Sequence, residues 1–470
     1  MSGSFERNTF RHEVSLRILK LINLLLMVSV FTVAWYFYYR DFTAVEYYWK
    51  GNVAIILFFA ILYYYFGKTY DAFLISYFQM FNIVTSQALS LFLSDTLFYI
   101  VMLFLSKGLV NPLPLMLAFA DQVSLSIIWT VIVQKIYFKW FPAKQSIIVY
   151  DRGRGLEDLI EEYGLSKKFD VKKTVSVEEC LSDLSMIDEI EVVFLSGIHS
   201  HERNILLKYC LYNDKPIYMI PRIGDVIMSS SEQIHMFHLP MMRVQRYRPN
   251  PMYLVVKRLL DIVISLVALI VLSPVFLITA IAIKAGDKGP VIYKQLRLTK
   301  NGKKFYIHKF RSMLVDAEKD GIARMSTGVN DDRITSVGRV IRKCRIDELP
   351  QFIDILSGNL SIVGPRPERP EIAEEYSKEM PEFQLRLQAK AGLTGYAQVY
   401  GKYNSTPYDK LQMDLMYIAN PSFIEDLRIC IATIKILLAP ESTEGIEKGK
   451  TNALEDSANT DTHGDEPHDN

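Results

Sequence analysis

The chain has 470 residues, half of them hydrophobic, yet 22% are charged and the formal net charge is only +1. That balance excludes a global polyelectrolyte role and leaves local charge to carry meaning. A mean hydropathy of +0.12 in so charged a chain requires the apolar residues to be segregated. Cys180, Cys210, Cys344 and Cys430 are scattered without CxxC spacing, which excludes a disulfide frame and a zinc site.

The segregation falls first into four runs: Leu21 to Tyr39, Asn52 to Gly67, Ile83 to Leu105 and Pro114 to Phe138. A helix needs about 20 mostly apolar residues to cross a bilayer. The first and third runs are long enough, and the second needs its neighbours to reach that length. The fourth carries Asp121 and Gln122, which is expected to turn that face into a bundle. Arg7, Arg11, Arg17 and Lys20 precede the first run, and Lys135, Lys139 and Lys144 flank the end of the fourth. The positive-inside rule then puts both ends of the block in the cytoplasm.

From about Gln145 short apolar runs alternate with helical patterns. Ser146 to Asp151, Ile190 to Gly197 and Lys215 to Ile220 are buried-strand candidates, and the second precedes a helical stretch, "HERNILLKYCLY". This predicts a small βαβ domain. Gly153 and Gly155 stand where a phosphate loop would stand, but the full G-x-G-x-x-G fingerprint is missing, so a degenerate Rossmann-like module is expected.

"KRLLDIVISLVALIVLSPVFLITAIAIKAGDK" is a fifth apolar run, long enough to cross. Ser273-Pro274 interrupts it, and Pro removes a helix hydrogen bond and clashes with the preceding turn. Lys257 and Arg258 precede the run, and Lys284 and Lys288 follow it. Two readings stay open: a kinked span, or a bent helix that dips into one leaflet and returns. From Lys288 to Val315 there follow eight Lys or Arg and no acid, in two β-rich halves around Lys300-Asn301-Gly302, a hairpin signal. A basic hairpin beside a membrane segment attracts phosphates, and its tie to the bilayer disfavours nucleic acid.

In "RKCRIDELPQF", Arg342 to Phe352, Ile346, Leu349 and Phe352 recur at every third position. Asp347 reads as an N-cap and Pro350 as a first-turn residue. On its own the stretch reads as a capped surface helix with local ion pairs. Downstream, Gly364-Pro365-Arg366-Pro367 makes a stiff loop around a guanidinium suited to bidentate phosphate contact. The region thus collects phosphate-binding cations and a carboxylate pair able to bind Mg²⁺ and attack phosphorus.

The stretch from about Lys257 to Pro440 resembles the bacterial sugar transferase family, polyprenol-phosphate phosphoglycosyltransferases with a monotopic catalytic domain. The motifs that carry the resemblance are "GPVIYKQLRLTKNGKKFYIHKFRSM", "DDRITSVGRVIRKCRIDELPQ", "GNLSIVGPRPE", "AGLTGYAQVYG" and "DLMYIANPSFIEDLRI". The four runs plus a Rossmann-like middle resemble the long, exopolysaccharide-initiating members. The resemblance implies a multidomain membrane protein: a four-span domain (1–142), a degenerate Rossmann-like domain (143–250) and a mixed α/β catalytic domain (251–440). A re-entrant helix (257–284) would anchor the last, and a disordered acidic tail (441–470), holding His463 and His468, would follow.

The resemblance further implies that Asp347 attacks the β-phosphate of a UDP-sugar, carries the phosphosugar covalently and passes it to undecaprenyl phosphate, releasing UMP. Glu348 would assist, and Asp347 and Glu348 would hold Mg²⁺. Arg366, Arg342, Arg345, Lys309 and Arg311 would bind phosphate. The implied partners are the UDP-sugar, the polyprenol phosphate and membrane lipid, with a homodimer by family analogy. The implied location is the bacterial inner (cytoplasmic) membrane, with the catalytic domain on the cytoplasmic face. Rival readings are a membrane-bound ligand sensor with no chemistry at Asp347, a transporter, and a processive glycosyltransferase that releases UDP.

Overall fold

A computed structural model describes residues 2–151, 155–315, 333–401 and 406–438, with the side chains of residues 2–10 and of Asp287 excepted. Gly153, His463, His468 and the 441–470 segment lie outside the described residues. The chain forms two compact units, 1–220 and 221–470.

The first unit opens with helices α1 (Ser2–Ala34), α2 (Trp49–Thr69), α3 (Met80–Leu105) and α4 (Leu113–Trp140). All four belong to stretches long and apolar enough to cross a membrane. The short second run gains its length from Trp49 to Gly51 and from Lys68 and Thr69. Aromatic packing fills the interior: Phe31 stacks on Phe59 at 3.9 Å and meets Phe98 edge-on at 4.6 Å. A buried polar chain fixes the register of the helices. Tyr63 of α2 donates to Asn23 of α1 (2.7 Å), while Asn23 and Ser126 of α4 both donate to Gln87 Oε1 of α3. Each such bond contributes about 0.6 kcal/mol in a bilayer, but a wrong register would leave all of them unmade. Gln122 faces inward as expected and donates to the Met27 carbonyl. Asp121 does not: one residue earlier is a 100° turn of the helix, and its side chain is exposed.

The unit continues with β1 (Lys144–Tyr150), α5 (Leu156–Glu162), β2 (Phe169–Ser176), α6 (Val177–Ser182), β3 (Val192–Ser196), α7 (Ser200–Tyr212) and β4 (Ile217–Met219). The strands form one parallel sheet in the order β2-β1-β3-β4. Every residue of β3 is buried, the continuous apolar run that a central parallel strand requires. The sequence reading missed β2, "FDVKKTVS", because an edge strand needs little apolar content and its middle is exposed.

The second unit holds α8 (Ile223–Ser229), a hairpin of β5 (Glu232–Met236) and β6 (Leu239–Arg243), then α9 (Pro251–Val271) and α10 (Ser273–Asp287). The basic hairpin follows as β7 (Ile292–Leu298) and β8 (Lys304–Phe310), in antiparallel register. Its turn places Asn301 at φ 59° and Gly302 at φ 73°, the left-handed pair the sequence signalled. After it come α11 (Ser336–Lys343), α12 (Gln351–Leu356), β9 (Ser361–Val363), α13 (Pro370–Glu379), β10 (Gly392–Thr394), α14 (Tyr396–Tyr400), α15 (Pro407–Ala419) and α16 (Phe423–Leu438). α13 and the following 3₁₀ turn bury Ala373, Tyr376 and Phe383 in the unit's own core. The apolar side chains of this segment are therefore taken by the domain itself.

Helices α9 and α10 meet at Ser273-Pro274 with a 60° bend. Tyr253, Lys257, Asp261 and Ser265, spaced by four, lie on one face of α9. Asp261 accepts from Ser361 Oγ (2.8 Å) and the Ile362 amide (3.0 Å), which pins α9 to β9. Lys257 and Tyr253 both donate to Asp426 of α16, at 2.7 and 2.8 Å. Arg258 donates to the carbonyls of Ile355 and Leu356, a cation on the C-terminal end of α12. At the far end Ile283 of α10 is buried against Phe310 and Ile341. Between these anchors Ile270, Val271, Leu277 and Ile278 are each 64–67% exposed. The bent pair is thus held to one domain at both ends and bare and apolar at its apex.

Candidate active site

The carboxylate pair sits where α11 ends. Thr335 caps α11 by accepting from the Gly338 amide at 2.9 Å. Its last turn closes through the amides of Cys344 and Arg345 onto the carbonyls of Val340 and Arg342. Arg345 adopts φ 55°, the left-handed conformation usual for glycine just past a helix. This reversal leads into a short 3₁₀ turn, Ile346–Glu348. Asp347 is therefore not an N-cap: α12 begins only at Gln351, after Pro350, so both acids lie in the turn between two helices. The expected stripe holds in part, with Ile346 and Leu349 packed beside Ile341 and Phe352 against a neighbouring cluster.

Three elements bring cations to Glu348. Lys309 near the end of β8 and Arg366 after β9 each reach Glu348 Oε1 at 3.0 Å, and Arg345 lies 4.0 Å from it. Burial would raise the Glu348 carboxyl, but Lys309, Arg366 and Arg345 together hold it below the ordinary carboxylate range. Asp347 goes the other way. Burial first, then the neighbouring Glu348 charge, pushes its carboxyl up, and Lys309, Arg342 and Arg345 offset only part of this. Asp347 is 9% exposed, and its Oδ1 finds no hydrogen-bond donor among the described residues. One acid is thus locked by cations, and its neighbour is held buried with an uncommitted oxygen.

Of the seven expected site residues, the structure gathers Asp347, Glu348, Lys309, Arg345 and Arg366, and places Arg342 within electrostatic reach of Asp347. Arg311 stands apart: its Nε donates to the Pro290 carbonyl at 2.6 Å and it is buried. The strand alternation explains this only loosely, since β8 ends at Phe310. No group of three or more metal-ligating side chains occurs among the described residues. The donor set that remains, a carboxylate pair with a free buried oxygen, suits Mg²⁺, which uses one or two carboxylates and fills its shell with water and phosphate oxygens.

Sequence reasoning missed the supports of Arg366. Arg386, buried, donates through Nη2 to the Arg366 carbonyl (2.9 Å) and through Nε to Asp414 (2.9 Å). Arg297 donates to the Pro367 carbonyl and lies 3.4 Å from Glu368, and burial pulls its guanidinium down to about 10. Arg386 lies in the 3₁₀ segment Pro381–Gln388, and no pattern in the sequence marks it as buried. Beneath the loop, Gly364 and Gly392 interlock, with Gly364 N donating to Thr394 O and Gly392 N to Pro365 O, both at 2.9 Å. A Cβ at Gly392 would overlap the Gly364 backbone. Gly392→Ala is expected to destabilise the domain by about 3 kcal/mol, the upper end of overpacking effects. Denaturant unfolding of detergent-solubilised protein checks it, and an unchanged midpoint would refute the interlock. Arg366 and Arg386 also line a cavity of about 310 Å³ with Thr299, Glu368 and Phe383.

Fold and site together define a membrane protein with four spanning-length helices, a parallel α/β region and a carboxylate pair ringed by cations. The sequence model of the bacterial sugar transferase family matches residues 252–440. A UDP-N-acetylgalactosamine-undecaprenyl-phosphate N-acetylgalactosaminephosphotransferase of Aeromonas hydrophila is 36% identical over 49% of this chain and 54% of its own length. A UDP-glucose:undecaprenyl-phosphate glucose-1-phosphate transferase of Caulobacter vibrioides is 37% identical over 40% of this chain and 71% of its own. The exopolysaccharide production protein PSS of Rhizobium leguminosarum is 39% identical over 39% of this chain and 95% of its own. The chain belongs to the bacterial sugar transferase family. It spans about half the length of the Aeromonas relative.

Proposed function

We propose that the protein transfers a phosphosugar from a UDP-sugar to undecaprenyl phosphate, giving a polyprenyl diphosphate sugar and UMP and so initiating an exopolysaccharide or capsule. The observation that carries this reading is the split pair: a cation-locked Glu348 beside a buried Asp347 with a free oxygen. In the first step an Asp347 oxygen attacks the β-phosphorus. A P–O bond to Asp347 forms, the bond to the bridging oxygen breaks, and UMP leaves with that oxygen. In the second step a phosphate oxygen of the polyprenol attacks the same phosphorus, and the carboxylate of Asp347 leaves.

Lys309 and Arg366 neutralise charge on the equatorial oxygens, with Arg342 and Arg345 beside the incoming carboxylate. Asp347, with Glu348, would hold Mg²⁺, which supplies charge neutralisation on the diphosphate when bound. The cavity beside Arg366 offers room for the nucleoside end of the donor. The names of the relatives include both a glucose and an N-acetylgalactosamine donor, so both classes of UDP-sugar belong in the test.

The bent α9–α10 pair fits a re-entrant anchor. Both of its ends are tied to one domain, whereas a crossing helix carries its ends to opposite faces. Such an anchor keeps the catalytic domain on the cytoplasmic face of the inner membrane, where the four-span block also ends by its flanking cations. The sheet order, with β1 central between β2 and β3, supports a Rossmann-like middle domain. The domains 1–142, 143–250 and 251–440, with residues 221–250 of the middle one packed in the second unit, and the homodimer implied by the family complete the reading.

Nucleotide release tests it. Membranes containing the protein, undecaprenyl phosphate and Mg²⁺, offered a panel of UDP-sugars, are expected to release UMP from one donor. Release of UDP would replace this reading with a glycosyltransferase, and the absence of any release from folded protein would favour a binding protein.

A further inference from the structure

Where α4 gives way to the sheet, basic side chains gather: among the described residues no carboxylate pairs with Lys144 or Lys168, and only the Glu13 charge acts on His12. Lys168, just ahead of β2, puts its Nζ 2.8 Å from the centroid of the Tyr77 ring and 3.4 Å from Ser76 Oγ. Lys144, the first residue of β1, donates its backbone amide to the Lys168 carbonyl at 2.9 Å, so the two lysines leave the sheet side by side. His12 of α1 places Nε2 2.6 Å from Tyr137 Oη of α4, and both lysine charges reach its ring. Tyr137 in turn is hydrogen-bonded to Ser76. The acids nearest in sequence are engaged elsewhere: Glu13 with Arg17 at 3.5 Å, and Asp170 with Lys172 at 2.5 Å.

The group therefore offers two ammonium groups, an imidazole and two hydroxyls. It is rich in donors and short of anionic acceptors. Burial and the neighbouring Lys144 pull the Lys168 ammonium down to about 7, the mark of a cation held without a counter-charge. The place matters as much as the composition. α4 runs apolar to Phe138 and ends at Trp140, so the cluster lies at the depth where an apolar span meets its polar flank. Basic pockets between membrane helices at that depth are where lipid phosphates are held.

We propose that His12, Lys144 and Lys168, with the hydroxyls of Ser76 and Tyr137, form a binding site for the phosphate headgroup of an anionic membrane lipid. The bound headgroup supplies the counter-charge the lysines lack and ties α1, the α2–α3 connection and α4 to the start of the sheet. This site is separate from the Asp347–Glu348 pair and does not depend on its chemistry.

Native mass spectrometry of the full-length protein released from mixed phosphatidylglycerol and phosphatidylcholine vesicles tests the proposal. Phosphatidylglycerol is expected to be retained about tenfold over phosphatidylcholine, given the contribution of each lysine. The double substitution Lys144→Gln with Lys168→Met is expected to bring retention down to the phosphatidylcholine level. Lys167→Gln, at an exposed neighbour, is expected to leave it unchanged. Equal retention of the two lipids, or full retention in the double variant, would overturn the site. Displacement of the lipid by millimolar inorganic phosphate would overturn the lipid as the ligand and assign the site to a free phosphate. If the double variant does not fold, wild-type protein decides: selective loss of phosphatidylglycerol as salt rises from about 0.05 to about 0.5 M supports the site, and salt-insensitive retention refutes it.

Discussion

Asp347→Asn is expected to lower UMP release by about 10⁴-fold or more and, at neutral pH, to raise the melting temperature of the protein. The first effect follows from removing the nucleophile, since an amide cannot form the covalent intermediate. A donor labelled at the β-phosphorus should leave its label on the wild-type chain and none on the variant. The second effect follows from electrostatics. Burial and the Glu348 charge raise the Asp347 carboxyl above its ordinary value near 3.8. A group raised in the folded state supports stability below its unfolded value, and that support is lost as pH rises through the folded value. Asparagine does not titrate. The stability advantage of the variant should therefore be small near pH 3, grow from about pH 4 upward, and level off above the raised value. Donor cleavage by the wild type should rise over the same window, because only the ionised carboxylate attacks. Thermal melts of both proteins across pH decide the matter, and a variant that melts at or below the wild type at pH 7 would refute the strained, buried nucleophile.

That split between adjacent acids was not legible in the sequence, although the pair itself was. "RIDELP" signals a helix start, and the apolar residues at every third position support it. Only the left-handed Arg345 and the delayed start of α12 put both acids in a turn rather than at a cap. The cations around Glu348 come from β8, from the end of α11 and from the loop after β9, and no local pattern joins elements so far apart. What the sequence does carry is anything set by composition or by a backbone that few residues tolerate. The four apolar runs, the Ser273-Pro274 break and the Asn301-Gly302 turn are of this kind. Buried charges escape it: Asp261 reads as an interruption of an apolar helix, and Arg386 as a surface residue. In the structure the first anchors α9 to β9, and the second holds the Arg366 loop. The polar thread of Asn23, Tyr63, Gln87 and Ser126 through the four helices is likewise visible only once the helices are packed.

Glu348→Gln should behave in the opposite way to its neighbour. The carboxylate accepts from Lys309 and Arg366 through one oxygen, and its own side chain is only 13% exposed. Removing its charge leaves two cations facing each other, with Arg345 behind them. Breaking one partner of a buried ion pair costs about 3–5 kcal/mol. Arg366 is 41% exposed and can turn to water, so the lower end, about 3 kcal/mol, is expected. The pH dependence carries the sign. Glu348 is held below its ordinary value near 4.5, so its contribution is present above that value and lost as pH falls through the depressed one. The stability gap between wild type and variant should be flat above about pH 5 and narrow in acid. The catalytic profile adds a second readout. With the Glu348 charge gone and the cations unpaired, burial alone still pushes the Asp347 carboxyl up but the added push of its neighbour is lost, and the acid limb of the donor-cleavage profile should move to lower pH. A variant as stable as the wild type, with an unmoved acid limb, would mean that Glu348 neither holds the cations nor tunes the nucleophile, and the division of labour between the two acids would be wrong.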